Sequence, residues 1–443
     1  MDFRFKDYLS MPLQLLRINR SMKAAPYRNK EDFEKELLVR LREMCIYAYE
    51  HVPFYKEWFH DADFSPYQMQ SFEYFERLPV LDKDVVRNNY DRLISDEAEK
   101  LGAVECETSG STGTPMQFLL DNNVNTASLA LFNRTWNMCK DWNITKPQAT
   151  ISGYAEGEWK YNRFSKILYL SSFHLNEETV LNFYNLILKY KVKFIRGYPS
   201  SLYRFAQLLN ERNLHLQFDV MFSGAETLLP FQREFIEEFF KGKVIDHYTH
   251  WERTASICEC MEGRLHAQND YGFHEILDAN NRSVKEGVGR LVCTGLYNRA
   301  MPLIRYDTRD LAEWETEISC PCGSNFPIVK KIWGRIEDIV VTPEGVLVGR
   351  LDAAFKYNKN IKLAYIYQPN IENIIVNIYP FDDFSLKTEK PLLEQELRKR
   401  VGSTIKIQYK IVNKEDIPFT PAGKVRFVVS DVDKKYQNTE FEL

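Results

Sequence analysis

The 443-residue sequence has no long apolar run, little glycine or proline, and no excess of basic charge. A helix that crosses a bilayer needs about 20 mainly apolar residues, and no stretch here approaches that length. The 19 glycines and 18 prolines are too few for a collagen-like or low-complexity chain. The 58 basic and 62 acidic side chains give a net charge of −4, which argues against a nucleic-acid-binding protein. We therefore expect no membrane span and no nucleic-acid partner.

The N-terminus also lacks the apolar core of a signal peptide, because Arg17 and Arg20 interrupt it. The eight cysteines are too few for a secreted scaffold of this length. A reducing cytoplasm is then the expected compartment, where clustered cysteines favour a metal over disulfides. The remaining composition, 44% hydrophobic and 27% charged residues, is that of a globular protein and excludes a mainly disordered chain.

The middle of the chain alternates strands and helices. Apolar runs predict strands at 192–196, 218–222 and 244–248, and the segments between them have helical periodicity. Strands joined through helices by short links form a parallel sheet that the helices cover. Ligands of such sheets bind beyond the carboxyl ends of the strands. We therefore expect the segments after Phe222 and Tyr248 to lie side by side at a ligand site.

The two ends of the chain differ from this middle. Residues 1–100 are mainly helical by their apolar spacing. Beyond a boundary near 334–338, two strand-like runs, a helix at 391–401 and a further strand predict a small α+β unit with its own core. The expected fold class is α/β, with mixed and parallel sheets covered by helices in a large domain, 1–335, followed by a small domain, 336–443.

Six short segments carry groups that could bind a nucleotide. The first, 108–115, combines two glycines, which allow close backbone approach, with hydroxyls and N–H groups that suit a polyphosphate. It is not a Walker A loop, because no Gly-Lys-Ser/Thr follows, and alone such a stretch is more typical of a surface turn. The second, 223–226, places small residues after a predicted strand, where a flat ring could lie against the backbone. A plain turn into the next helix is the alternative.

The other four segments offer charged groups. Glu252, at the end of the next strand, could hold Mg²⁺ beside a polyphosphate, since Mg²⁺ takes one or two carboxylates plus phosphate oxygens. Asp310 could accept both hydroxyls of a ribose. Arg335 and Glu337 lie at the domain boundary, and Lys424 follows a Pro/Gly turn from which its ammonium could reach a reacting phosphate. Each of these side chains, taken alone, is more often solvated or ion-paired.

In this order the six segments resemble the adenylate-forming ligases. The nearest branch is similar to the phenylacetate–coenzyme A ligase-like proteins, including those of capsular-polysaccharide gene clusters. The phrases at 49–55 (Tyr-Glu-His-Val-Pro-Phe-Tyr), 78–83 (Leu-Pro-Val-Leu-Asp-Lys) and 195–200 (Ile-Arg-Gly-Tyr-Pro-Ser) also resemble that branch. Each motif is weak alone, but the ordered set is specific and covers nearly the whole chain.

The resemblance implies an adenylate-forming enzyme with a mobile C-terminal domain. A carboxylic acid attacks the α-phosphorus of Mg·ATP, which gives an acyl-adenylate and pyrophosphate, and an acceptor then takes the acyl group. The favoured acceptor is coenzyme A. Transfer of an acyl or aminoacyl group to an amine or hydroxyl of a sugar, polysaccharide or carrier is the first alternative. A nucleotide-binding protein that has lost turnover is the second.

The resemblance also assigns roles to single residues. The implied catalytic residues are Lys424, which stabilises charge during adenylation, Glu252, which binds Mg²⁺, and Arg335, near the ribose and phosphate. The loop at 108–114 holds the β- and γ-phosphates, and Glu337 occupies the hinge. The implied nucleotide-binding residues are Thr108, Ser109, Gly110, Ser111, Thr112, Gly113, Thr114, Ser223, Gly224, Ala225, Glu226, Tyr248, Asp310 and Glu337.

The sequence departs from the family pattern at four positions. Thr114 replaces a lysine, which removes one positive charge near the phosphates, and Arg309 replaces the glycine before Asp310. Thr249 and Trp251 stand where the family has a glycine and a hydroxyl residue. An indole at 251 that blocked the nucleotide would favour the non-catalytic alternative.

Three cysteines and one histidine form a possible structural Zn²⁺ site. The Cys-Pro-Cys-Gly run at 320–323 is a tight knuckle, and four protein ligands leave no position for a catalytic water. Cys258 competes with Cys260 for the first position, and similarity to the near branch favours Cys260. The alternative is that these four residues bind no metal. The sequence leaves the oligomeric state open, and a homodimer is one possibility. The expected ligands are Cys260, His266, Cys320 and Cys322.

Overall fold

A computed structural model gives the architecture of most of the chain. The residues that it describes contain eleven α-helices and twenty strands. The strands form one large sheet, two hairpins and a small C-terminal sheet. No helix in these ranges has the length and apolar character needed to cross a membrane. The described residues are 5–107, 116–137, 146–152, 157–226, 228, 230–316, 319–335, 340–345, 347–348, 351–355, 358, 360–381, 383–418 and 426–432.

The N-terminal region is helical, as its apolar periodicity predicts. The side chain of Asn29 accepts hydrogen bonds from the first turn of the second helix, and Pro53 starts the third helix where its missing N–H costs nothing. Apolar residues on these helices share one core with the hairpin that follows. The helices are α1 (Phe5–Ala24), α2 (Lys30–His51), α3 (Pro53–Asp61), α4 (Phe72–Phe75), α5 (Lys83–Asn88) and α6 (Tyr90–Leu93).

The next region supplies the parallel half of the large sheet. An antiparallel hairpin, β1 (Val104–Glu107) and β2 (Gln117–Leu120), precedes it. The predicted strands appear as β6, β7 and β8; β7 starts two residues later than expected and extends to Gly224. The elements are α7 (Asn122–Asn137), β3 (Gln148–Ser152), β4 (Trp159–Asn162), β5 (Ile167–Ser171), α8 (Val180–Lys189), β6 (Phe194–Gly197), α9 (Pro199–Glu211), β7 (Val220–Gly224), α10 (Pro230–Phe240) and β8 (Lys243–Thr249).

Antiparallel strands complete this sheet. The twelve strands lie in the order β11-β12-β13-β14-β10-β9-β8-β7-β6-β3-β5-β4, with β5, β3, β6, β7 and β8 parallel to one another. The sheet is therefore mixed, and its parallel and antiparallel halves meet between β8 and β9. The added strands are β9 (Ser256–Glu259), β10 (Leu265–Ala267), β11 (Gly272–Leu277), β12 (Val288–Gly295), β13 (Tyr306–Glu315) and β14 (Ile328–Arg335).

Helices cover both faces of the parallel half. An apolar core forms under α8 and α9, with Phe183 and Phe205 fully buried. On the opposite face α7 packs through Trp136, whose ring stacks on Phe222 at 4.5 Å between centroids. The face of the sheet beneath α7 therefore includes Phe222, which lies two residues before the carboxyl end of β7.

The C-terminal part has its own sheet and core. Ile366, Val376 and Leu397 are buried in it, and the sheet order is β19-β18-β17-β20. The helix expected at 391–401 begins five residues earlier, because the Ser385 carbonyl already accepts from the next turn and Pro391 is tolerated inside the helix. The elements are β15 (Val340–Val341), β16 (Leu347–Val348), β17 (Ile361–Asn370), β18 (Asn373–Pro380), α11 (Leu386–Val401), β19 (Lys406–Ile411) and β20 (Val428–Ser430).

Candidate active site

The ends of β7 and β8 form a narrow backbone shelf. A Cβ atom at Gly224 would lie 2.7 Å from the His247 carbonyl oxygen, so only glycine allows the two strands this approach. Ala225 follows with φ +65°, a left-handed conformation that turns the chain out of the strand. Ser223 is buried, and its hydroxyl donates to Asp246 at 2.7 Å. The Glu226 side chain accepts a hydrogen bond from the first turn of α9.

Tyr248, at the end of β8, is joined to Asp310. The Tyr248 hydroxyl donates to Asp310 Oδ2 at 2.6 Å. Burial and the nearby carboxylate raise the pKa of Tyr248 well above its ordinary value, so the phenol remains a proton donor. Asp310 in β13 is opposite Arg335 in β14. The fold thus brings three of the predicted nucleotide-site residues to one edge of the sheet.

Glu252 is buried within a cluster of donors. Its Oε1 accepts a hydrogen bond from Tyr306 at 2.8 Å, and its Oε2 lies 2.8 Å from His250 Nδ1. Lys83 Nζ lies 3.9 Å from Oε1. Burial acts to raise the pKa of Glu252, but His250 and Lys83 outweigh it and hold that pKa below its usual range. The site therefore contains an ionised, enclosed carboxylate.

Two members of this cluster arrive from distant segments. The Leu81 N–H donates to the Arg305 carbonyl and the Asp307 N–H to the Leu81 carbonyl, both at 2.9 Å. This pairing lays residues 78–83 beside β13 and brings Lys83 to the carboxylate. The sequence named neither Lys83 nor Tyr306 as a site residue. The only signal in the sequence was indirect: Lys83 belongs to the phrase at 78–83, and Tyr306 precedes Asp310 in the same short segment.

Trp251 lies outside the buried cluster. It is 42% exposed, whereas Glu252 beside it is 5% exposed. The Arg253 guanidinium carbon stands 5.4 Å from the centre of the indole. The bulk that departs from the family pattern is therefore at the surface, next to the carboxylate rather than on it.

A second cluster lies beyond the other end of β9. The ligand atoms of Cys260, His266, Cys320 and Cys322 all lie within 4.8 Å of one another. Cys260 Sγ is 3.7 Å from Cys320 Sγ, and Cys322 Sγ is 3.4 Å from His266 Nε2. His266 Nδ1 lies 3.3 Å from the Phe326 carbonyl, an acceptor that directs the other ring nitrogen toward the sulfurs. This donor set and its shape fit a tetrahedral Zn²⁺ ion.

The local backbone explains how the four groups converge. Gly263 and Gly323 have φ of +76° and +78°, and each N–H closes a turn on a cysteine carbonyl. Cys258 points away, among the apolar residues under α7, and its thiol donates to the Glu259 carbonyl. The geometry favours Cys260 over Cys258 as the ligand.

Part of the predicted site cannot be placed. The side chain of Arg335 and all of the phosphate-loop, hinge and lysine positions lie outside the described residues, and their roles stay predictions. These positions are Thr108, Ser109, Gly110, Ser111, Thr112, Gly113, Thr114, Glu337 and Lys424.

Comparison with known proteins gives consistent relatives. Residues 340–431 match the model of the CapK C-terminal domain. The chain is 28% identical to protein CapK of Staphylococcus aureus over 368 residues, and this aligned region covers 80% of each protein. It is 26% identical over 332 residues to a phenylacetate-coenzyme A ligase of Thermus thermophilus, 68% of this chain and 70% of that protein.

The chain is similar to the adenylate-forming enzymes of the branch that includes the phenylacetate–coenzyme A ligases and CapK. A solved member of this fold, 2-hydroxyisobutyryl-CoA ligase in the postadenylation state with R3-HIB-AMP, has a TM-score of 0.72 at 20% identity, covering 92% of this chain and 91% of that one. The mixed large sheet and smaller C-terminal α+β part are the fold of these ligases. The relative from Thermus thermophilus and the solved structure are both named as coenzyme A ligases.

Proposed function

We propose that the protein uses ATP to convert a carboxylic acid to its acyl-adenylate, with release of pyrophosphate, and then transfers the acyl group to coenzyme A. One observation carries this proposal. The Gly224 shelf, the Tyr248–Asp310 pair and the buried Glu252 cluster all lie where β7 and β8 end. The named activities of the phenylacetate-coenzyme A and 2-hydroxyisobutyryl-CoA ligases support the choice of acceptor.

Each group of the rim has a part in this reaction. The flat backbone at Gly224 suits an adenine ring, and Asp310, held by Tyr248, can accept the ribose hydroxyls. Glu252 fits Mg²⁺ because it stays ionised, and each of its oxygens keeps further lone pairs besides the hydrogen bond that it accepts. Mg²⁺ would supply charge neutralisation at the phosphates.

The remaining charge stabilisation is assigned to residues known from sequence alone. Lys424 and Arg335 bring positive charge to the phosphate as negative charge moves onto the leaving pyrophosphate, and the loop at 108–114 holds that leaving group. This is stabilisation of the transition state, in which the protein forms no covalent bond to the substrate.

Carboxylate-dependent exchange of pyrophosphate into ATP tests adenylation directly. A panel of carboxylic and amino acids should contain at least one that supports exchange. Lys424→Ala should abolish it, whereas Lys414→Ala, an exposed lysine in the same domain, should not. A chain that exchanges with no acid, or a Lys424→Ala variant that exchanges normally, would contradict the assignment.

A different acceptor is the second candidate. The chain matches the CapK C-terminal domain, and its 28% identity to protein CapK exceeds its 26% identity to the phenylacetate-coenzyme A ligase. Since the name CapK specifies no acceptor, an amine or hydroxyl on a sugar or carrier stays the alternative to coenzyme A. Incubation with ATP, an exchange-competent acid and coenzyme A separates the two, because a thioester product supports the first acceptor and unchanged coenzyme A supports the second.

We also propose that the Cys/His cluster binds one structural Zn²⁺ ion. Four protein ligands complete a tetrahedron, so the ion would join the β9–β10 turn to the knuckle at 320–323 and bind no substrate. Metal analysis of the purified protein should give about one equivalent of zinc. A folded, fully metal-free protein that takes up no zinc would exclude the site.

A further inference from the structure

One row of side chains crosses the parallel half of the sheet beneath α7. The strand register places Tyr169 of β5 beside Thr150 of β3, Thr150 beside Arg196 of β6, and Arg196 beside Phe222 of β7. Register partners in a sheet point to the same face. Trp136 of α7 covers this row by stacking on Phe222. Arg196 thus lies among aromatic rings and the hydroxyls of Thr150 and Tyr169.

The Arg196 guanidinium has no acidic partner in the described part of the chain. Its Nε donates to Thr150 Oγ1 at 2.7 Å, and its Cζ stands 5.5 Å from the centre of the Trp136 ring. Burial lowers the pKa of Arg196 below its ordinary value, but a guanidinium remains protonated in proteins. Other enclosed arginines differ, since each has a carboxylate: Arg134 with Asp270, Arg233 with Glu259, and Arg305 with Glu275.

A second cation acts on the same space. Arg253 follows Glu252, and its Nε is buried without a hydrogen-bond partner among the described residues. Its charge also lowers the pKa of Arg196, and with burial it lowers the pKa of His247 to about 3. His247 is then neutral at pH 7 and adds no further positive charge to that of the two arginines.

Arg196 is half-buried, and a charge partly withdrawn from water with no opposite charge beside it is costly for the folded state. A ligand that supplies the opposite charge would offset that cost. Arg196 stands at the carboxyl end of β6, where Gly197 is opposite Ser223 on the neighbouring strand. Its register partner on β7 is Phe222, so Arg196 lies about one strand spacing, ~4.8 Å, from that strand and two residues before the shelf at Gly224. A planar guanidinium matches the two oxygens of a carboxylate.

We propose that Arg196 binds a second carboxylate on the acid substrate, so that the enzyme activates one end of a dicarboxylic acid while the other end pairs with this guanidinium. The inference rests on the proposed adenylation and adds the class of acid to it. Arg253 adds to the positive potential that attracts the second carboxylate, and Thr150 is a positioning residue that orients the guanidinium.

Pyrophosphate exchange with matched acids tests this assignment. The probes are succinate, glutarate and adipate, each compared with its monomethyl ester, which keeps the length and removes one charge. At least one diacid should exceed its ester by about 10- to 100-fold in kcat/KM, the range of a hydrogen-bonded charge pair. Arg196→Gln should remove that preference by lowering the diacid rate and leaving the ester rate within about threefold.

Three outcomes separate the possibilities. Exchange in which esters equal diacids, or in which Arg196→Gln lowers both equally, overturns the inference and leaves adenylation standing; an equal loss would show that Arg196 binds the reacting carboxylate. Exchange with no acid of a wider panel overturns adenylation itself. Ester activity in Arg196→Gln would show that this variant folds. If it does not fold, Arg196→Lys is the second variant: it keeps the positive charge, loses the two-pronged guanidinium, and should still lower the preference for the diacid. Arg204→Gln, exposed on α9, is the matched control and should change neither rate.

Discussion

Two polar clusters flank the same strand, β9, and they are built on opposite principles. Before the strand, Glu252 is surrounded by groups that complement it, two hydrogen-bond donors and an ammonium. After the strand, the Cys/His cluster gathers three thiols and an imidazole, all of which are electron-pair donors. The first cluster is electrostatically complete without any ion. The second brings together four groups that could all bind the proposed Zn²⁺ ion, which would then hold them in place.

With the roles proposed above, this difference would separate a site that exchanges ligands from one that holds the fold. A carboxylate already supported by protein donors can bind and release a Mg²⁺–nucleotide without collapsing, because its partners remain. Four ligands that depend on one ion have no comparable support. We therefore expect changes at the first cluster to alter rates and changes at the second to alter stability.

The largest expected effect is loss of the metal ligand Cys322. Cys322→Ser should remove the proposed zinc and lower the free energy of unfolding by several kcal/mol, less than the ~10–16 kcal/mol with which isolated zinc-finger peptides bind zinc. Urea unfolding and metal content measure both effects. Cys258→Ser is the matched control and should keep its zinc, since that thiol lies outside the cluster. Equal stability of the wild type with and without metal would refute the comparison.

The next effect is on catalysis. Glu252→Gln keeps the shape of the side chain and removes the charge, so pyrophosphate exchange should fall by about 100- to 1,000-fold, equivalent to about 2.7–4 kcal/mol of transition-state stabilisation. Zinc content should be unchanged. Glu313→Gln, a buried glutamate whose partner is Lys330, serves as the control and should retain exchange. If Glu252→Gln also lost its metal, the two clusters would not be independent.

A smaller effect is expected where nucleotide binding depends on a single hydrogen bond. Tyr248→Phe removes the donor to Asp310 and should raise the KM for ATP by about tenfold, as expected for a hydrogen bond to a charged group, with little change in zinc content. An unchanged KM would show that Asp310 does not need this tyrosine to receive the ribose.

The last effect is a gradual pH dependence of stability, and it concerns the strand between the clusters. Ser256, the first residue of β9, is held by His247 and His274, whose pKa values are each lowered to about 3, mainly by burial. Because an unfolded histidine titrates near ~6.5, the unfolded chain binds more protons between about pH 3 and 6.5. Stability should therefore fall on acidification through this window, by at most about 1.4 kcal/mol per pH unit for each histidine.

Urea unfolding at pH 7, 6 and 5 measures this slope. The Cys322→Ser background removes any contribution from metal release. His274→Gln should reduce the slope by up to one proton, and His174→Gln, outside this strand, should leave it unchanged. A slope that His274→Gln does not change would show that this histidine does not titrate on unfolding.

The sequence predicted much of the sheet because its signals are local. Runs of apolar residues and turn residues located β6, β7 and β8 within about two residues, and the rule for parallel strands placed Gly224 and Tyr248 at one edge. The predicted helix start at residue 391 was wrong, because α11 begins at Leu386 and Pro391 lies inside it. Helix ends depend on neighbouring carbonyls as well as on residue type.

What the sequence alone determined here is the order of elements, the fold class and the identity of the charged and thiol residues, because periodicity and spacing are encoded along the chain. Only the tertiary structure decided which of them meet. The Leu81–Tyr306 pairing brings Lys83 to Glu252, the turn at Gly263 selects Cys260, and the strand register encloses Arg196. Such contacts join segments far apart in sequence, so no local pattern specifies them, and packing settles them only when the whole sheet forms.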